Sequence, residues 1–234
     1  MAPDPFALLF AELGRLSRLE VLERELRRRG YERIAGVDEA GRGSLAGPVV
    51  AAAVLVPPGW VLPGLDDSKQ VDAETRSRLE AEIRRRAVAV GTGVVPAAEI
   101  DANDILRASL RAMRLALEAL PVAPDAVLVD AVRIPGVRLP QLPVVHGDAL
   151  CASIAAGSIV AKVVRDRLLE DLSRAHPVYG FDQHKGYGTP EHWEALRRYG
   201  PCPEHRLTYR GVVPDEAFAA AAERGESPGS RRRV

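Results

Sequence analysis

Lysine is nearly missing from this sequence: of 32 basic residues only three are lysines, Lys69, Lys162 and Lys185. Where a generic surface cation suffices the chain carries arginine. A lysine therefore flags a place that wants a compact ammonium, because the two cations are not interchangeable at a site. Net charge is missing as well, since 32 acidic residues balance the 32 basic ones. That excludes polyanion binding through bulk charge, and any anion site must be local. There are two cysteines, Cys151 and Cys202, with no C-x-x-C spacing. A disulfide framework and a thiolate zinc site are excluded on that ground. The opening residues MAPDPFALLFAELGRL carry an acid at position 4 and no basic region, so they do not read as a secretory signal. No run reaches the ~18 apolar residues that a bilayer-spanning helix needs. A reduced, cytoplasmic, monomeric protein without membrane contact is expected.

What is present suits a globular chain: 234 residues, 47% hydrophobic and 27% charged, enough to bury one normal core. Residues 6–29 carry leucine at helical spacing and predict an amphipathic helix ended by Gly30. Apolar runs at 33–38, 48–56 and 87–95 predict strands, with a helix over DAETRSRLEAEIRRRA before the third. A further helix is expected over 97–120, stopped by Pro121. A buried strand is expected at 125–131, a weaker one at 142–148, and a long helix at 149–174. The first half of that helix, CASIAAGSIVAK, is built of small residues that allow close packing. Residues 176–210 hold four of the five histidines. The expected division is an N-terminal helical extension (1–30), an α/β domain with a mixed sheet (31–175), a helical C-terminal extension (176–215) and a disordered tail (216–234).

Four acids share an unusual setting. Asp38 and Glu39 end the apolar segment RIAGV, Asp130 ends AVLV, and Asp148 follows PVVHG at the start of the long helix. Singly each has an ordinary reading: Asp148 as a helix N-cap, Asp130 as a turn residue. Together they place carboxylates at the ends of separate strands, where the functional groups of an open α/β sheet collect. Clustered carboxylates repel unless a cation joins them. Oxygen ligands without cysteine or spaced histidines suit Mg²⁺ or Mn²⁺.

The following GRGSLA matches the dinucleotide fingerprint G-x-G-x-x-A in form only. That fingerprint needs a helix after its glycines, and here Pro48 opens a strand-like run instead. Two acids also stand where a pyrophosphate would approach. Gly41 and Gly43 offer instead close backbone approach to a ligand, with Arg42 beside the carboxylates.

The segments GVDEAGRG…LAGPVVAAAV, LDDSK, VDA, GDAL…SIAAGSIVAKVVRDR and HPVYGFDQHKGYGT resemble, in order, the successive motifs of the ribonuclease HII family, over residues 34–190. The resemblance implies a ribonuclease H-like fold, a mixed five-stranded sheet flanked by helices with a helical C-terminal extension. It implies metal-dependent endonucleolytic cleavage of the RNA strand of RNA–DNA hybrids and incision 5′ of single ribonucleotides in duplex DNA. By position, Asp38, Glu39, Asp130 and Asp148 match the four catalytic, metal-holding carboxylates of a two-metal Mg²⁺ or Mn²⁺ site. Gly41, Arg42 and Gly43 match the loop that senses the ribose 2′-OH. Tyr187 matches the tyrosine that stacks on the neighbouring deoxyribose. Lys69, Lys162, Lys185 and His184 are candidate substrate contacts, with pairing to Asp166 as the alternative for Lys162. His146, His176, His192 and His205 are expected to be structural or on the surface. Ser44 departs from a common proline, and Gly157 interrupts a stretch that is usually alanine, at a cost of up to ~1 kcal/mol. The related HIII family carries a sizeable N-terminal domain, whereas about 30 residues precede the first strand here, which favours HII. A nuclease for structured DNA and a non-catalytic hybrid-binding module are the rival readings. The sequence does not resolve a sliding-clamp contact.

Overall fold

The computed structural model describes residues 4–213, so the tail expected from 216 onward lies outside the described residues. In chain order the elements are α1 (Pro5–Leu19), α2 (Val21–Arg28), β1 (Ile34–Ala40), β2 (Val49–Leu55), α3 (Ala73–Arg86), β3 (Ala89–Val95), α4 (Ala97–Ala102) and α5 (Ile105–Glu118). Then follow β4 (Ala126–Asp130), β5 (Gln141–Val144), α6 (Gly147–Leu150), α7 (Ala152–Ala175), α8 (Phe181–His184) and α9 (Pro190–Tyr199).

The apolar runs become one five-stranded sheet in the order β3-β2-β1-β4-β5. β1 runs antiparallel to β2 and parallel to β4, which makes the sheet mixed, as expected. β2 is buried at every position, and its alternation divides the core. Val49, Ala51, Ala53 and Leu55 pack with Ala112, Met113 and Ala116 of α5. Ala52 and Val54 point the other way, to Ala155, Ala156 and Ile159 of α7. The small residues of α7 bring it against the backbone of β1. A Cβ on Gly36 would stand 2.1 Å from the carbonyl carbon of Ser153, and one on Gly157 would stand 3.1 Å from the Ala52 carbonyl oxygen. Alanine at 157 would need the facing backbone to give by a few tenths of an ångström.

Four element boundaries differ from expectation. The single helix over 6–29 is two helices, because Glu20 leaves helical geometry and its buried carboxylate accepts the Trp60 N–H at 3.0 Å. The helix over 97–120 is also two. Asn103 breaks it (φ −118°, ψ −101°), and the Asp104 side chain caps the second helix by accepting from the Arg107 N–H at 2.7 Å. The long helix begins at Ala152, after the separate turn α6 and an extended Cys151. β5 ends at Val144 and holds Pro143, which an edge strand tolerates.

Both terminal extensions are joined to the central body. Leu16 and Leu19 lie in the α7-side core. The buried carboxylate of Glu23 takes the N–H (2.9 Å) and hydroxyl (2.7 Å) of Ser153, at the start of α7. After α9 the chain returns to pair His205 with Ala46 in an antiparallel bridge, and Leu196, Tyr209 and Val212 enter the α5-side core.

Candidate active site

Strand register assembles the acids. In the parallel pair β1–β4, Val37 lies opposite Val129, so Asp38 and Asp130 come next on adjacent strands. β5 brings Val144 opposite Asp130, and the chain then turns into α6. There the Gly147 N–H donates to Asp130 Oδ1 at 2.8 Å, and Asp148 follows. Two residues at this edge, Ala131 (φ 54°) and His146 (φ 56°), adopt left-handed backbone. That geometry costs a non-glycine residue about 1–3 kcal/mol, and it turns the chain sharply beside Asp130 and Asp148.

The carboxylates are short of positive charge. Burial, then the Glu39 charge, pushes the Asp38 carboxyl well above the usual carboxylate range, against the pull of the Ser158 hydroxyl and the Glu39 N–H. Burial raises Glu39 too, opposed by Arg42, whose Nη1 lies 3.2 Å from Glu39 Oε1. Asp148 is raised by burial and by Asp67, and lowered by Lys69, whose Nζ lies 3.6 Å from its Oδ2. Among the described residues no group of three or more His, Cys, Asp or Glu side chains is already set to hold a metal ion. Each carboxylate has a separate partner instead: Asp38 the Glu39 N–H, Glu39 Arg42, Asp130 the Gly147 N–H, and Asp148 Lys69. A buried to half-buried, oxygen-only set short of compensating charge fits a hard divalent cation.

Asp38, Glu39 and Asp130 line a cavity of about 340 Å³, and Asp148 stands outside its lining, tied to it through Lys69. Gly41, Arg42 and Gly43 form one side, and Lys69, Lys162 and Tyr187 another. Gly41 has φ 97°, and a Cβ there would lie 2.0 Å from Arg165 Nε. Glycine is required on both counts. Arg206 holds the loop from below, donating to the carbonyls of Gly41 (2.7 Å), Arg42 (2.8 Å) and Gly47 (3.0 Å). The Tyr209 hydroxyl also donates to the Arg42 carbonyl. Arg165 donates to Ser44 Oγ (2.7 Å), Pro48 O (3.1 Å) and Lys185 O (3.0 Å). It thereby ties the glycine loop to the turn that carries Tyr187. Ser44 in turn donates to the Gly41 carbonyl at 2.9 Å, so this departure from the family's proline is built into the loop. Both guanidiniums are fully buried. Burial lowers both pKa values, that of Arg165 to about 10, which leaves them charged at neutral pH.

The Tyr187 ring lies 5.7 Å from Lys162 Nζ and 5.3 Å from the Arg165 guanidinium carbon, with 37% of the residue exposed. Lys162 pairs with Asp166 at 2.7 Å, the alternative expected for it. Two expected substrate residues lie elsewhere. Lys185 pairs with Glu170 at 2.7 Å and lines a neighbouring cavity between α3, α7 and α8. The ring of His184 is held within the fold: Nε2 bonds the Tyr179 carbonyl (2.7 Å), Nδ1 accepts from the Gly186 N–H (3.2 Å), and its face stacks on His192. Arg165, Arg206 and Asp67 escaped sequence reasoning. Nothing marks two arginines in a chain rich in them, whereas Asp67 stood legible inside LDDSK.

The sequence profile described as Ribonuclease HII matches residues 35–212. The chain is 55% identical over 190 residues to the ribonuclease HII of Geobacillus kaustophilus, covering 81% of this chain and 73% of that one. It is 52% identical to that of Syntrophotalea carbinolica, covering 81% and 91%. The crystal structure of ribonuclease H2 from Pyrococcus horikoshii is similar with a TM-score of 0.66 at 26% identity, over 77% of this chain and 95% of that one. With motifs, sheet order and relatives in agreement, the chain belongs to the ribonuclease HII family, the endonucleases that hydrolyse the RNA of RNA–DNA hybrids.

Proposed function

We propose that this enzyme is metal-dependent, that it incises duplex DNA 5′ of a single embedded ribonucleotide as well as cutting RNA tracts, and that it leaves 3′-OH and 5′-phosphate ends. The observation that carries the reading is one cavity with two unlike walls. Carboxylates from β1 and β4 share it with a backbone-rich glycine loop and an aromatic ring, and Asp148 of α6 joins them through Lys69. Asp38, Glu39, Asp130 and Asp148 would hold two divalent ions. Bound there, such ions supply Lewis acidity toward the phosphate and a water of lowered pKa. Arg42 and Lys69 partly neutralise the same carboxylates in their absence.

The glycine loop reads the sugar. Gly41–Gly43 bring backbone groups within reach of the 2′-OH, the group that separates RNA from DNA. Tyr187 offers its ring to the neighbouring deoxyribose, and Lys69 and Lys162 lie where they meet backbone phosphates, which set position and not identity. The segment 176–215 serves as the substrate-binding extension because it supplies Tyr187 and fixes the loop. Such an enzyme would act in ribonucleotide excision repair and primer removal.

The test is incision of a duplex carrying one ribonucleotide, with Mg²⁺, with Mn²⁺ and with chelator, beside the same duplex in all-DNA form. Cutting 5′ of the ribonucleotide with metal only is the expected result. Equal cutting of the all-DNA duplex would favour a structure-specific nuclease instead.

A further inference from the structure

Behind Tyr187 lie two histidines that the catalytic reading does not use. His192, on α9, and His205, beyond it, are almost fully buried. Their Nε2 atoms are 3.0 Å apart. His192 Nδ1 lies 2.9 Å from the Tyr187 carbonyl, and His205 Nδ1 lies 3.0 Å from the Cys202 backbone nitrogen. A carbonyl only accepts and a peptide N–H only donates, so both ends of this line are fixed. Starting from Tyr187, His192 Nδ1 must carry the proton, and in a neutral ring its Nε2 then accepts. His205 Nε2 must therefore donate, and His205 Nδ1 accepts. The Cys202 N–H at the far end is the donor that this requires. The two ends give the same assignment independently.

We propose that His205 and His192 form a neutral hydrogen-bond relay that positions Tyr187 for recognition of the deoxyribose beside a lone ribonucleotide. The inference deepens the reading of Tyr187 above and rests on it. The backbone around Tyr187 shows what is positioned. Its carbonyl also takes the Thr189 N–H (2.9 Å), and its own N–H donates to the His184 carbonyl (3.0 Å). The preceding Gly186 carbonyl takes the Leu45 N–H at 2.8 Å, which fastens the turn to the glycine loop. His184 has the complementary tautomer, with Nδ1 accepting from Gly186 and Nε2–H donating to Tyr179. Its ring stacks on His192 at 4.3 Å. Phe181 and Tyr179 close the cluster edge-on, and the Cys202 thiol lies 3.2 Å from His205 Nδ1. Burial lowers His192 and His205 to about 4, helped by neighbouring His184 and His176, so both rings stay neutral at physiological pH. A second proton on either ring would set two N–H groups against each other across 3.0 Å.

The relay makes an asymmetric prediction for two polar substitutions. In His192→Asn the side-chain amide occupies the Nδ1 position and still reaches the Tyr187 carbonyl. In His192→Gln the amide occupies the Nε2 position and abandons Tyr187 while keeping His205. On a duplex with one ribonucleotide, His192→Gln is expected to lose about tenfold in kcat/KM, the scale of one lost buried hydrogen bond. His192→Asn should stay within about threefold on the same scale. On an RNA-tract hybrid the two variants should stay close to each other. Imidazole ¹⁵N spectra of the wild type at pH 7 should show His192 as the Nδ1–H tautomer and His205 as the Nε2–H tautomer. The opposite tautomers, equal losses in both variants, or losses equal on both substrates that follow a lowered Tm would overturn the relay. Tyr187→Ala, measured beside them, separates the two ideas. If it spares lone-ribonucleotide incision, the reading of Tyr187 fails and the relay's purpose with it. If it impairs incision while His192→Gln does not, the relay alone fails.

Discussion

Asp38 and Asp130 stand side by side on central strands, whereas the loop facing them across the same cavity is held by side chains from far along the chain. Arg165 reaches Ser44 over 121 residues and Arg206 reaches Gly41 over 165. The acids are placed by backbone pairing, which needs only apolar strands in register. The loop has no regular structure to hold it, so its carbonyls are taken by buried guanidiniums. The contrast implies that the proposed cutting groups withstand substitution of their own side chains without loss of fold, and that the proposed recognition loop does not.

The largest test of that contrast is Asp130→Asn. It should reduce hybrid cleavage more than about a hundredfold if Asp130 holds metal as proposed. The fold should survive, because the amide oxygen can still accept from the Gly147 N–H. Cleavage assays paired with a thermal melt check both halves. On the other wall, Arg206→Met should leave the Gly41, Arg42 and Gly47 carbonyls without their donor. A loss of about 3 kcal/mol is expected, read by urea unfolding, and an unchanged midpoint would erase the contrast. Gly41→Ala should cost about 1–3 kcal/mol through its left-handed backbone. It should also cost discrimination between duplexes with and without a ribonucleotide, because the new methyl meets Arg165.

The remaining effect is set by pH. The folded pKa of His192 and His205, about 4, lies below the ordinary 6.5, so between those values the unfolded chain binds protons that the folded chain refuses. This contribution to stability is complete above pH 6.5 and falls as the pH drops toward 4. Denaturant midpoints across that window should decline, and less steeply in His205→Gln.

The same contrast explains what could be read from the sequence. The strands were legible because a run such as VVAAAVL has no other comfortable place than a sheet buried on both faces. The acids were legible because polar residues that end such runs gather at one sheet edge. Helix breaks were less so. Asp104 was a readable cap signal inside an otherwise periodic stretch, but the inward turn of Glu20 depends on Trp60, 40 residues away. The fixing of the loop was not legible at all. Buried Arg165 and Arg206 look in sequence like their many exposed counterparts, and only tertiary distance distinguishes them. His184 misled through its place beside Lys185, a neighbour that faces a different cavity.

The reach of Arg206 back to Gly41 also orders events in time. During synthesis the four acids have all emerged by residue 148, and they depend on the pairing of β1, β4 and β5. The loop must await a partner 165 residues further on, a contact whose closure comes late. On the proposed roles, a nascent or truncated chain thus owns its cutting groups before it owns the means to choose what they cut.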